Sequence, residues 1–297
     1  MKKILLFLAI ITLQNFPQDN MMSITDLKTK IENEFASVEG SFALAFTDLS
    51  NPLNEIYINE RETFHAASTM KTPVMVELFK QANENKFNLN DSILVKNDFK
   101  SIVDGSSYSM NIERDGGENF YKHLGTRQPI IDLIIDMITF SGNLSTNILI
   151  ELADAKKVNE TMRSIGASDI QVLRGVEDMK AFEQGLNNTT TAYDLMLIYR
   201  ALGEGSFVSE KACEDMIKIL MQQNFKTKIP ALLPDDVSVA NKTGSITGVS
   251  HDSGIIFLPD GRKYVLVILS KNLSDMKAGN DAIAKASRYI YDYMVLE

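Results

Sequence analysis

The chain has 297 residues, 44% of them hydrophobic and 23% charged, with a net charge of -9. This composition excludes a disordered chain or a fibrous repeat, and the length fits one large domain or two lobes of about 100–200 residues each. The acidic balance argues against nucleic acid as main partner, because that binding rests on Lys and Arg neutralising phosphates; the single cysteine, Cys213, excludes an internal disulfide and a cysteine-rich metal site.

Met1-Lys2-Lys3 precedes the apolar run Ile4 to Leu13. A basic head and a short apolar run read as a secretory signal peptide, assigned to residues 1–20 with the cut near 14–22. The run is too short to cross a bilayer, which needs about 20 apolar residues. The expectation is an exported bacterial protein, periplasmic or secreted, with no stable membrane insertion.

Ile24, Leu27, Ile31 and Phe35 share one face of a helix over Ile24–Ala36. Ser41–Phe46 reads as a strand, Asn51-Pro52 as a turn, and Glu55–Ile58 as the second strand of a hairpin. From Thr69 to about Ala201 the apolar period is mostly helical, interrupted by a polar stretch at Asp104–Gly117 and an irregular one at Val172–Asn188. Strands return at Val237–Ala240, Gly254–Leu258 and Tyr264–Leu269, with Pro259-Asp260-Gly261 turning the last two into a hairpin. Ala282–Met294 is a closing amphipathic helix. Strands at both ends bracket a helical middle, which predicts an α/β fold: an antiparallel sheet flanked by helices, with an inserted helical domain. The predicted sheet domain comprises residues 21–65 and 205–297, and the helical domain residues 66–204.

Three short motifs carry chemistry. In Ser68-Thr69-Met70-Lys71, Ser and Lys lie three apart on one face of a helix start, with Pro73 in the first turn. A serine hydroxyl needs a base to become a nucleophile, and a lysine serves only if its pKa is pushed toward neutrality. Ser141-Gly142-Asn143 lies between two helices, and Gly142 suits a left-handed helix end that presents Ser141 and Asn143 on a connection. Lys242-Thr243-Gly244-Ser245 follows the strand Val237–Ala240; Lys242 and Thr243 suit a substrate carboxylate, and Gly244 lets a substrate approach the strand edge. A Lys-Thr-Gly triplet is expected by chance only about 0.07 times in such a chain, against about two Ser-x-x-Lys matches.

Other chemistry-bearing residues have blander readings. Glu113, Arg114, Asp115 and Glu118 read as a solvated loop, and Cys213 as a small buried apolar residue. Tyr108 flanks a cleft or is a surface aromatic. His251-Asp252 hints at a Ser-His-Asp triad, but the chain has no Gly-x-Ser-x-Gly elbow, so His251 is assigned a structural or supporting role. His65, His123 and His251 lack metal-ligand spacing.

The order Ser-x-x-Lys, Ser-x-Asn, Lys-Thr-Gly is a combined signature. With Phe64-His65-Ala66-Ala67 before Ser68, Asn143 to Asn147 and Thr189-Thr190-Thr191, the chain resembles the class A β-lactamase family of serine hydrolases over nearly its whole mature length. The resemblance implies a five-stranded antiparallel sheet with helices on both sides, a mostly helical second domain and a site between them. It implies Ser68 as acylated nucleophile and Lys71 as its proton partner. Ser141 would relay a proton to the β-lactam nitrogen, and Asn143 would orient Lys71 and the substrate amide. Lys242 and Thr243 would hold the carboxylate, and the N–H groups of Ser68 and Ser245 would form the oxyanion hole.

Glu177 lies 36 residues after Ser141, about the family's spacing for its deacylating glutamate. The family's water-holding asparagine four residues later is here Ala181, and Gly142 stands where aspartate is common. The phrase Arg174-Gly175-Val176-Glu177-Asp178 resembles a branch described as β-lactamase-related serine hydrolases. The implied substrate is therefore a β-lactam, with a cell-wall D-Ala-D-Ala peptide, an ester, or slow-deacylating penicillin binding as the alternative. No cofactor or metal is implied, and a monomer is the default.

Overall fold

The structure, a computed structural model, describes residues 22–296. The signal-peptide assignment to residues 1–20 lies outside the described residues. The chain opens with helix α1, Ile24–Ala36, whose N-cap Ser23 accepts from the Asp26 N–H at 3.1 Å and donates back to its carboxylate at 2.7 Å. Strands β1 (Ser41–Asp48) and β2 (Glu55–Ile58) form the first hairpin. Near the C-terminus come β3 (Ser238–Ile246), β4 (Val249–Phe257) and β5 (Lys263–Lys271). All five make one antiparallel sheet in the order β2-β1-β5-β4-β3. The register runs from Ser41 opposite Lys271 to Asp48 opposite Tyr264, so the first and last strands pair within the sheet.

Alternation fails in β1 and β5 because both faces of the sheet are covered. Ala43, Ala45, Val265, Val267 and Leu269 join the core shared with the helical middle. Phe42, Leu44, Phe46, Tyr264, Leu266 and Ile268 join a second core with Leu27, Ile31 and Phe35 of α1 and with the last helix. That helix runs Met276–Leu296, longer than the apolar pattern over Ala282–Met294, because its first turns are polar (Lys277, Asn280, Asp281). Likewise β3 continues past Ala240: the motif residues Lys242 to Ser245 lie inside the strand rather than after it.

The helical middle is built around α2, Lys71–Asn83, which is buried at nearly every position from Lys71 to Phe79. It is surrounded by α3 (Ile130–Thr139), α4 (Asn143–Ala153), α5 (Ala155–Ser164) and, further along the chain, α8 (Glu210–Leu220). A short helix α6 (Met179–Glu183) lies in the irregular stretch Val172–Asn188, and α7 (Ala192–Gly203) packs against β1, β4 and β5. The latter is capped by Thr191, whose hydroxyl accepts from the Asp194 N–H at 3.0 Å.

Phe46 is fully buried and meets Tyr264 edge-on at 5.6 Å between ring centroids. Phe46→Ala is expected to lower stability by about 3–5 kcal/mol, measured as the shift in the urea unfolding midpoint; a shift within error of zero would contradict this two-faced core.

Candidate active site

Ser68 sits in a single 3-10 turn, Ala67–Met70, that runs directly into α2. The turn is closed by Thr69, whose N–H and hydroxyl both donate to the Ala66 carbonyl, at 3.0 and 2.6 Å. Ser68 opens onto a cavity of about 330 Å³ lined also by His65, Arg114, Asn143, Glu177, Phe182 and Ser245. The edge strand β3 lies against the turn: a Cβ on Gly244 would stand 3.1 Å from both the Ser68 and Thr69 nitrogens. Glycine at 244 thus lets the strand lie against the backbone of Ser68.

One turn after Ser68, the fully buried Lys71 donates to the Ser141 carbonyl at 2.7 Å, the Ser141 hydroxyl at 3.1 Å and the Asn143 Oδ1 at 2.9 Å. From the other side Lys242, also fully buried, donates to the same Ser141 hydroxyl at 3.1 Å and to the Thr243 carbonyl at 2.9 Å. Ser141 adopts the left-handed conformation, with φ of 61°, which for a non-glycine residue costs strain and is found most often at functional sites. The three motifs, separated by up to 174 positions between Ser68 and Lys242, therefore meet around one oxygen atom.

Burial pushes the Lys71 amine down to about 7, against the attraction of Asp115, Asp136 and Glu177. Burial also holds Lys242 well below the ordinary lysine range, with Lys71 and Lys228 adding repulsion. Burial raises the Glu177 carboxyl, and Asp115 adds to the rise. Glu177 sits at φ of 60° and accepts from the Asn143 Nδ2 at 3.4 Å. Its loop is pinned by Arg174, which donates to the Leu186 carbonyl at 2.9 Å, and by Asp178, which accepts from Ser101 and the Ile102 N–H, both at 2.9 Å.

Several sequence expectations change. The left-handed residue is Ser141, not Gly142, whose φ is -55°. Gly142 is glycine for a different reason: a Cβ there would overlap the Asp136 carboxylate. Asp115 is not part of a solvated loop; it is 7% exposed and accepts from the N–H groups of Asn143 and Leu144. Its neighbour Arg114 lines the cavity. His251 has both ring nitrogens engaged, Nδ1 accepting from the Ser270 N–H at 3.1 Å and Nε2 donating to the His65 carbonyl at 2.9 Å. Burial lowers it to about 4, so it is a neutral structural ring. Tyr108 is half-buried against Phe99, 5.9 Å between centroids. Ala181 is fully buried in α6, while its neighbours Met179 and Phe182 line the cavity.

Lys228 carries no motif in the sequence. Buried behind β3, it donates to the Ser245 hydroxyl at 2.8 Å and the His251 carbonyl at 3.0 Å, and burial pushes it down to about 8 against the pull of Asp252. No local pattern announces it, because its partners lie on strands that follow it. Among the described residues no cluster of three or more His, Cys, Asp or Glu is arranged to hold a metal ion.

The sequence model of the beta-lactamase enzyme family matches residues 26–294. The chain is 23% identical over 277 residues to the extended-spectrum beta-lactamase PER-1 of Pseudomonas aeruginosa, covering 90% of this chain and 87% of that protein. It is 26% identical over 228 residues to a beta-lactamase of Bacteroides uniformis, covering 70% and 77%. Among solved structures, the beta-lactamase from Sphaerobacter thermophilus superposes with a TM-score of 0.77 at 25% identity, covering 91% of this chain and 97% of that one.

The lowered pKa of Lys71 leaves its amine largely neutral above about 7 and protonated below. NMR of protein labelled at the lysine Cε is expected to show, among the lysines with lowered pKa, a resonance that is lost in Lys71→Met and titrates near neutrality; a midpoint for that resonance in the ordinary lysine range would contradict the burial argument.

Proposed function

The chain belongs to the beta-lactamase enzyme family of β-lactam-hydrolysing enzymes, and from that premise we propose that it opens the ring through an acyl-enzyme on Ser68 and releases the product with a water activated by Glu177. The observation that carries this reading is the shared Ser141 hydroxyl, bonded by Lys71 and Lys242 at 3.1 Å each beside the cavity that Ser68 lines.

In its neutral form, with two N–H groups left to donate in place of the ammonium's three, Lys71 takes the Ser68 proton on its lone pair as Oγ attacks the β-lactam carbonyl carbon. The N–H groups of Ser68 and Ser245 receive the oxyanion; one such donor is worth about 10²–10³ in rate. The C–N bond then breaks, and the departing nitrogen takes the Ser141 proton, which protonated Lys71 replaces. Lys242 and Thr243 hold the substrate carboxylate, and Gly244 leaves room for it along β3. In the second half, Glu177 takes a proton from water, the hydroxide attacks the ester, and Ser68 leaves with the proton returned to it. Burial and the neighbouring Asp115 raise the Glu177 carboxyl, which strengthens it as a base.

Ala181 bears on the second half. Among the described residues Asn143 is the side-chain amide bonded to Glu177, and a methyl at 181 offers a water no hydrogen bond. We infer that deacylation is the slower half, so that the enzyme stands mainly acylated at saturating substrate. We also assign the sheet unit to residues 21–65 and 205–297 and the helical unit to 66–204, with the cleft between them. The enzyme acts as a monomer on a small molecule, outside the cytoplasm, as the leader Met1–Leu13 suggests. Among the described residues no helix is long and apolar enough to cross a membrane.

Purified protein is expected to hydrolyse nitrocefin with turnover, and Ser68→Ala to abolish both turnover and the penicilloyl adduct on intact-mass measurement. Glu177→Gln should retain the acylation step and accumulate the adduct stoichiometrically. A Ser68→Ala protein that still turns over nitrocefin would falsify the assignment of the nucleophile.

A further inference from the structure

Helix α4 carries Asn143 at its first position and follows directly on Ser141, yet its N-cap is Gly142, which has no side chain to satisfy the first free N–H groups. Those groups are met from elsewhere. Asp115, 28 residues before Asn143, accepts from the Asn143 N–H at 2.7 Å on one oxygen and from the Leu144 N–H at 2.8 Å on the other. The same carboxylate takes two further donors, the Gly117 N–H at 2.9 Å and the Tyr121 hydroxyl at 3.0 Å, giving two donors to each oxygen. The space that a side chain at 142 would fill is taken by Asp136 of α3, whose carboxylate accepts from the Ser145 hydroxyl at 2.6 Å. The glycine in Ser141-Gly142-Asn143 is thus one half of an arrangement in which acids from two other segments occupy the helix start.

We propose that Asp115 is a positioning residue for acyl transfer: its carboxylate clamps the N-terminus of α4 in place of a cap at 142 and so fixes where Ser141 and Asn143 meet Lys71. This role rests on the function proposed above. The geometry makes it specific. Asn143 bonds Lys71 through its side-chain oxygen and Asp115 through its backbone, so movement of the clamp moves the lysine's partner. A carboxylate is needed because all four groups around it are donors, and an amide in its place would turn an N–H₂ toward two of them. Asp115 also acts through its charge. The groups facing Lys71 are Asp115, Asp136 and Glu177, with Lys242 across Ser141. Facing Glu177 are Asp115 and Arg114. Loss of the Asp115 charge therefore favours the basic forms of Lys71 and Glu177 alike.

The test compares wild type, Asp115→Asn and Tyr121→Phe, measuring kcat/KM for nitrocefin across pH alongside thermal unfolding. Asp115→Asn is expected to lower kcat/KM at least about tenfold, as for loss of hydrogen bonds to a charged group, and to move the acid limb of the profile to lower pH. A merely structural cap would lower the unfolding temperature and leave kcat/KM of the folded protein within error of wild type at the pH optimum. Tyr121→Phe removes one of the four donors and keeps the charge. It is expected to cost about two- to fivefold in kcat/KM with the limb unmoved, and it decides the question if Asp115→Asn does not fold. Wild-type kcat/KM and profile in every variant that folds overturn the positioning role. An inert wild-type protein overturns the functional reading itself, and the role with it.

Discussion

Two buried lysine nitrogens share one serine oxygen, and the rest of the molecule is organised around that arrangement. Each lies 3.1 Å from the Ser141 hydroxyl, so the nitrogens are no more than about 6 Å apart. Two full ammonium charges at that distance repel by on the order of 3 kcal/mol at an effective dielectric of about 20, before either desolvation penalty is counted. The protein meets this by withdrawing protons and by surrounding the pair with carboxylates: Asp115, Asp136 and Glu177 on the Lys71 side, Asp252 on the Lys242 side. A chain that holds a lysine amine near neutrality has the base that a serine hydroxyl requires.

That arrangement explains why the fold joins its ends. Lys71 comes from a helix in the middle of the chain, Ser141 from a connection between two others, and Lys242 from the edge strand of a sheet whose centre pairs the first strand with the last. Both faces of the sheet are covered, and its edge strand β3 delivers Lys242, Thr243 and Ser245 against the turn that holds Ser68. The Val172–Asn188 loop adds the last carboxylate. It is irregular in backbone but fully tied, with Arg174 and Asp178 spending their hydrogen bonds on holding it closed over the cavity.

The parts of this that were legible in the sequence are those written locally. The boundaries of α1 and the existence of the first hairpin follow from apolar spacing and an Asn-Pro turn, though β1 runs two residues past the Phe46 where the sequence reading ended it, and the five-strand sheet follows from the resemblance that the three motifs carry. Strand β3 was read only to Ala240 because the apolar signal stops there; what keeps Lys242 inside is tertiary burial, which overrides propensity. Asp115 looked like one charge among several in a polar loop, since its partners at Asn143 and Leu144 are remote in sequence. Gly142 drew the left-handed assignment that glycine usually merits, whereas the strain fell on Ser141 and the glycine answered to Asp136. Lys228 carried no pattern at all. In each case the missing information was a contact between distant segments.

The most direct test of the account is the protonation of the lysine pair itself. Neutron diffraction from deuterium-exchanged crystals at mildly alkaline pH locates the hydrogens on Lys71, Lys242 and the Ser141 oxygen. The two lysines are expected not to carry full charge together, so that at least one nitrogen is a free amine, with the Ser141 hydroxyl bonded from both sides. Two ammonium groups flanking Ser141 would contradict it, because neither lysine would then be available to take the proton from Ser68.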